Sequence, residues 1–193
     1  FSNSGVSSSS WKETYGEPTI SSSQSDVSAS YDEASKTWSL PTSSSKITYT
    51  LHGYFDGKIN VVASGSAYKG VKLVLNQAYL TNSDATSSPV VFSPSDKYIQ
   101  LDSPANTVNY IVAEGVAVDS KNNLRVGGEG TLNLLSRTSH ALKGDDIRLY
   151  GSGTINISAL ADGMHGKNFY TNDGESTPTE FTGTCAIEAG ESE

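Results

Sequence analysis

One pattern returns along this chain at a nearly fixed interval, and it constrains the fold more than any other feature. TSHALKGDDI at 138–147 matches LADGMHGKNF at 160–169, a lag of 22 residues. GEGTLNLL at 128–135 matches GSGTINIS at 151–158, a lag of 23. VAVDSKNNL at 116–124 matches SHALKGDDI at 139–147 at that same lag of 23, and VVFSPSDKYI at 90–99 fits the slot once more. Each slot runs from a small or apolar residue through a Lys, Gly or Ser turn to paired Asp/Asn positions, then Ile, Leu or Phe. A period near 23 with two or three short strands in each is one coil of a β-solenoid. A leucine-rich repeat has a similar length, but its LxxLxLxxN frame is missing, and a propeller blade needs about 40 residues.

The runs between the turns are β-prone and short: VKLVLNQAYL, YIQL, VNYIVA, NLRV, GTLNLL, IRLY and GTINIS. No 12-residue window carries the i, i+3, i+4, i+7 apolar pattern of a helix. Strands are expected near 71–75, 99–101, 108–112, 124–126, 131–135, 147–150 and 154–158. Rungs of a solenoid lie about 4.8 Å apart, so equivalent residues stack. Leu124 and Val126 should lie on Ile147 and Leu149, and Leu132 and Leu134 on Ile155 and Ile157. Asn133 and Asn156 share an outward slot and are placed to hydrogen-bond as a ladder. The fold expected is all-β, a right-handed single-stranded parallel β-helix of about 22–25 residues per coil.

Composition agrees with a thin core and many turns: 35% of the 193 residues are apolar, and 18 are Gly. The net charge is −8 and there is no run of Lys or Arg, so no nucleic-acid partner is expected. No stretch approaches the roughly 18 apolar residues of a membrane span, so membrane insertion is not expected either. The single Cys185 excludes an internal disulfide. Residues 1–25 are Ser-rich and read as a flexible tether, within which Trp11 and Tyr15 are candidates for docking on the domain or for sugar contact. Residues 26–45 read as an N-terminal cap with a short hairpin near Trp38, and 26–193 as the domain. The Ser-rich start, with no initial Met, points to a removed signal segment and to a secreted or surface-anchored protein.

The segments KITYTLHGYFDGKINVVA, AVDSKNNLRVGGEGTLNL, SHALKGDDIRLYGSGTINI and ADGMHGKN together resemble the bacterial secreted carbohydrate-binding β-helix domains. The resemblance covers residues 46–169, and weakly 26–45. It implies a polysaccharide-lyase-like solenoid that binds cellulose or acidic sugars with bound calcium.

The paired Asp/Asn slot is the first candidate site. Asn122, Asn123, Asp145, Asp146 and Asn168 should stack at one corner, with Asp119 and Asp162 at neighbouring turns. Calcium takes six to eight oxygen ligands, and such a stack suits it. The same residues also suit the turns of a solenoid corner, and Lys167 can neutralise Asp145 with no metal. For polysaccharide the candidates are Lys143, Arg148, His165 and His140, as a charged row, with Tyr150 and Tyr170 for stacking. Tyr54, Tyr68, Tyr79, Tyr98 and Tyr110 are further possible platforms. The histidines lack the local spacing of a metal site. No catalytic residue is assigned. The function expected is non-catalytic binding of a plant-type or acidic polysaccharide at the cell surface. The alternatives are a calcium-dependent lyase with Lys143 or Arg148 as base, and a structural or adhesive solenoid that packs with copies of itself.

Overall fold

The structure, a computed structural model, describes residues 8–63, 69–94 and 99–190. It is a parallel β-solenoid of about five turns with almost no helix. Three strand columns wind around one apolar core. The first face holds Ile99–Ser103, Leu124–Gly128, Asp146–Tyr150 and Asn168–Tyr170. The second holds Val108–Ala113, Thr131–Ser136, Thr154–Ala159 and Thr184–Ala189. The third holds Thr37–Pro41, Lys58–Val62, Val90–Phe92, Val118–Ser120, Leu142–Lys143 and Met164–His165. Two long strands, Ile47–Asp56 and Val71–Asn82, begin the solenoid, and Val71–Asn82 pairs with both the first and the second face.

The stacking expected from the repeat is found in register. Leu124 pairs with Ile147 and Val126 with Leu149; Leu132 pairs with Ile155 and Leu134 with Ile157. Alternate residues point inward, and these eight are nearly inaccessible to solvent. Identical or similar side chains one rung apart fill each layer without large residues, which is why 35% apolar content suffices. The Asn ladder forms too: Asn156 Nδ2 donates to Asn133 Oδ1 at 2.9 Å, and Asn133 Nδ2 to the Asn109 carbonyl at 3.2 Å. Asn133 is nonetheless buried. The corner where the long strand divides is tied by side-chain amides. Gln77 there has φ 54, its Oε1 accepts the Val108 N–H at 2.7 Å, and Asn109 Oδ1 accepts the Ala78 N–H at 2.8 Å.

The N-terminal segment differs from the expected tether. Ser8–Tyr15 is a helix, and Thr19–Ser22 is a strand antiparallel to Ile47–Asp56. The physical reason lies in Trp11 and Tyr15. On the outer side of the second face Tyr54, Tyr79 and Tyr110 stand in register as a tyrosine ladder. Trp11 stacks on Tyr79 with centroids 4.5 Å apart, and Tyr15 lies 5.7 Å from the same ring. Burying that aromatic surface outweighs the entropy of ordering a Ser-rich turn. Residues 30–41 form the expected hairpin, with Ser30 opposite Ser39. Among the described residues no helix is long and apolar enough to cross a membrane.

Candidate functional site

The third face carries an open groove. Its outward column runs Asp119, Lys143, His165 from rung to rung. The groove, about 450 Å³, is bordered by these three residues and by Lys121, Asp145 and Lys167. Lys143 Nζ lies 3.9 Å from Asp119 Oδ1, and Lys167 Nζ 3.0 Å from Asp145 Oδ1. Three ammonium groups therefore face two carboxylates, a local excess of positive charge on a chain of net charge −8. All four paired side chains are at least a third exposed, so these ion pairs are weak and easily exchanged for a ligand.

The Asp/Asn slot stacks as expected, since Asp146 pairs with Asn168 and the Asp145 N–H donates to the Asn122 carbonyl at 3.0 Å. Several of its carboxylates and carbonyls already have partners. Asp145 is taken by Lys167, and Asp146 Oδ1 accepts from Asn168 Nδ2 at 2.9 Å. Asn122 and Asn123 are half-buried in the preceding turn, and Asn122 spends its carbonyl on the backbone. Asp119 is paired with Lys143 in the groove, and Asp162 with the histidines. A calcium cage needs six to eight oxygens turned to one point. Here cations and amide donors already occupy the carboxylates, and the corner closes as a set of turns.

The charged row expected from the repeat is divided between two faces. Lys143 and His165 share the third face, but Arg148 lies on the first, in register with Arg125. Arg148 Nη1 donates to Asn172 Oδ1 at 3.1 Å, and its guanidinium sits 3.8 Å over the Tyr170 ring. Arg125 is buried, and its Nε donates to the Asp173 carbonyl. The segment 170–181 thus folds back over the first face. Asp173 is held below the usual carboxylate range: burial alone would raise it, but N–H groups of Glu175 and Thr179 and the Arg125 charge outweigh that. Tyr150 is buried, and its hydroxyl donates to Asp102 Oδ1 at 2.6 Å. Its backbone passes close to Gly127, where an added Cβ would lie 1.9 Å from the Tyr150 carbonyl oxygen. Burial and the Asp102 carboxylate push the Tyr150 phenol far up. Tyr79 is covered by the N-terminal helix, so neither it nor Tyr150 is a stacking platform. Tyr170 is exposed at one ring face. Tyr68 and Tyr98 lie outside the described residues.

The histidines lack the local spacing of a metal site, yet the fold joins two of them. His140 and His165 stack at 4.2 Å, and both Nδ1 atoms approach one oxygen of Asp162, at 3.2 and 2.7 Å. Burial, with the neighbouring His165, lowers the His140 pKa. The Asp162 carboxyl is lowered, chiefly by its hydrogen bond to His165. The signal was present in the lag of 22, which makes His140 and Asp162 equivalent.

Strand columns and stacked ladders together define the class as a parallel β-solenoid. A family model described as carbohydrate-binding domain-containing protein matches residues 40–193, and the chain belongs to that family. No curated protein and no solved structure matches it.

Proposed function

We propose that this domain binds an extended, uronate-bearing polysaccharide along the groove of the third face, outside the cell, and does not cleave it. The observation that supports the reading is the open ladder of Lys121, Lys143, His165 and Lys167 on successive rungs. Carboxylates recurring along a polymer meet cations recurring along a solenoid, and each charge-assisted contact replaces a weak surface ion pair. A lyase needs a base and a second group converging on one sugar. Lys143 and Arg148 are on different faces, and Arg148 is engaged by Tyr170 and Asn172.

The test is titration calorimetry of the full chain with oligogalacturonate and with a neutral cello-oligosaccharide, beside an ultraviolet assay for unsaturated product. Micromolar binding of the uronate is expected, weakened about tenfold, or 1.4 kcal/mol, by Lys143→Ala or Lys167→Ala. Equal binding of both sugars by the variants would move the site elsewhere, and release of unsaturated sugar would replace binding with lyase chemistry.

A further inference from the structure

We propose that His140, Asp162 and His165 form a binding site for a divalent transition metal of the zinc class, at the corner beside the third face. The site shares His165 with the groove but does not rest on the glycan reading. One donor atom from each residue lies within 4.8 Å of the others. The two Nδ1–Oδ2 separations are 3.2 and 2.7 Å. Donors around a tetrahedral zinc, at about 2.0–2.1 Å from the metal, stand roughly 3.3 Å apart. The two nitrogen–oxygen pairs need to open by about 0.1 and 0.6 Å, and the two nitrogens, which lie within 4.8 Å of each other, to settle at the same spacing, to admit the ion.

The fold supplies this arrangement without a dedicated loop. His140 comes from one rung, and Asp162 and His165 from the next, three residues apart. The Ala141 N–H donates to the Asp162 carbonyl at 3.2 Å and fixes the two rungs against each other. Rung spacing then sets the imidazole stack at 4.2 Å with 22° between planes.

His140 Nδ1 faces two groups of Asp162 at once. Its Nδ1 is placed to accept the Asp162 N–H at 3.2 Å. The same atom stands 3.2 Å from Asp162 Oδ2. A nitrogen that accepts the N–H faces the carboxylate with a lone pair, and one that donates to the carboxylate loses the N–H. A divalent ion between Nδ1 and Oδ2 replaces this contact of lone pair against carboxylate with two bonds, and releases the Asp162 N–H to solvent. His165, which meets Asp162 Oδ2 alone, completes three ligands. Asp162 and His165 are 58% and 53% exposed, so the ion has an entry path and a fourth position for water or a ligand oxygen. Two imidazoles and one carboxylate suit zinc, nickel or copper, whereas calcium would find a single oxygen residue.

The experiment is calorimetry and histidine NMR on the full chain near neutral pH, with zinc chloride, nickel chloride and calcium chloride in turn. Zinc should bind one to one with micromolar affinity, and calcium should give no heat. The imidazole signals of His140 and His165 should move while those of His52, which meets the Asn76 carbonyl, stay in place. His140→Ala and Asp162→Asn should each weaken zinc by tenfold or more. Lys167 borders the groove but is not one of the three ligands, so Lys167→Ala should weaken uronate and leave zinc binding unchanged. Zinc binding that survives His140→Ala, zinc signals at His52 alone, or no zinc response at all would each overturn the site. If uronate binding fails and zinc binding stands, only the glycan reading falls.

Discussion

Two outward columns of this solenoid obey the same repeat and meet opposite fates. On the first face Arg125 and Arg148 stack in register, and on the third face Asp119, Lys143 and His165 do so. Arg125 is 5% exposed, whereas the Lys143 side chain is 48% exposed. Two guanidiniums one rung apart repel, and the chain answers with Asp173, Asn172 and the Tyr170 ring, all from one returning segment. On the third face Lys143 stacks on Asp119, an opposite charge, and the column stays open. Residue type at a repeat position therefore does not decide whether a side chain is available to a ligand. What the chain lays over it does.

The sharpest way to break the sealed side is Arg125→Ala. It leaves the Asp173 carbonyl and carboxylate buried with fewer partners, and removal of one member of a buried polar pair costs about 3 kcal/mol. Urea unfolding should show a lower midpoint with little change in slope. An unchanged midpoint would mean that the segment 170–181 seals nothing. The same cover has a pH signature. The folded-state pKa of Asp173 is depressed, so its contribution is fully present above the unfolded value and is lost as pH falls through the folded one. Wild type should lose stability below about pH 4, near the unfolded aspartate pKa. Asp173→Asn should flatten that acid limb in melts taken across the range, and an unaltered limb would remove Asp173 from the account.

Gly174→Ala should act on the same cover with a smaller effect. Gly174 has φ 74, and a Cβ there would come within 2.9 Å of Arg148 Cζ. Left-handed backbone costs a non-glycine residue roughly 1–2 kcal/mol, before any displacement of the guanidinium. A melting curve that matched wild type would show that the cover yields freely.

The solenoid was legible because its information is periodic. Leu124 above Ile147 and Leu132 above Ile155 follow from counting, since a parallel rung repeats whatever side chain precedes it. The sealing elements were not legible, because they are the places where periodicity stops. Trp11 is a lone aromatic in Ser-rich sequence, and only the Tyr54–Tyr79–Tyr110 ladder explains where it goes. TNDGESTPTEFTG reads as an acidic loop until Arg125 and Arg148 are seen to need it. Arg148 was grouped with Lys143 on charge alone. Four residues lie between them, enough to turn the corner from the third face to the first.

The smallest effect expected is on the open side, and its smallness sharpens the comparison. Lys143 Nζ and Asp119 Oδ1 are 3.9 Å apart, at the limit of an ion pair, and both side chains are in contact with water. Exposed pairs of this kind contribute about 0.2–1 kcal/mol, and ordering a long lysine consumes much of it. Lys143→Ala, Asp119→Ala and the double variant should all melt near wild type, with a coupling below about 0.5 kcal/mol. Binding should respond differently. Asp119→Ala removes a carboxylate that competes with the ligand for Lys143, so uronate affinity should rise modestly, while Lys143→Ala lowers it. The double variant should resemble Lys143→Ala, because Asp119 acts only through the ammonium it occupies. A large loss of stability in either single variant would show that the pair is a structural strut, and the contrast between a sealed face and an open one would then fail at the groove.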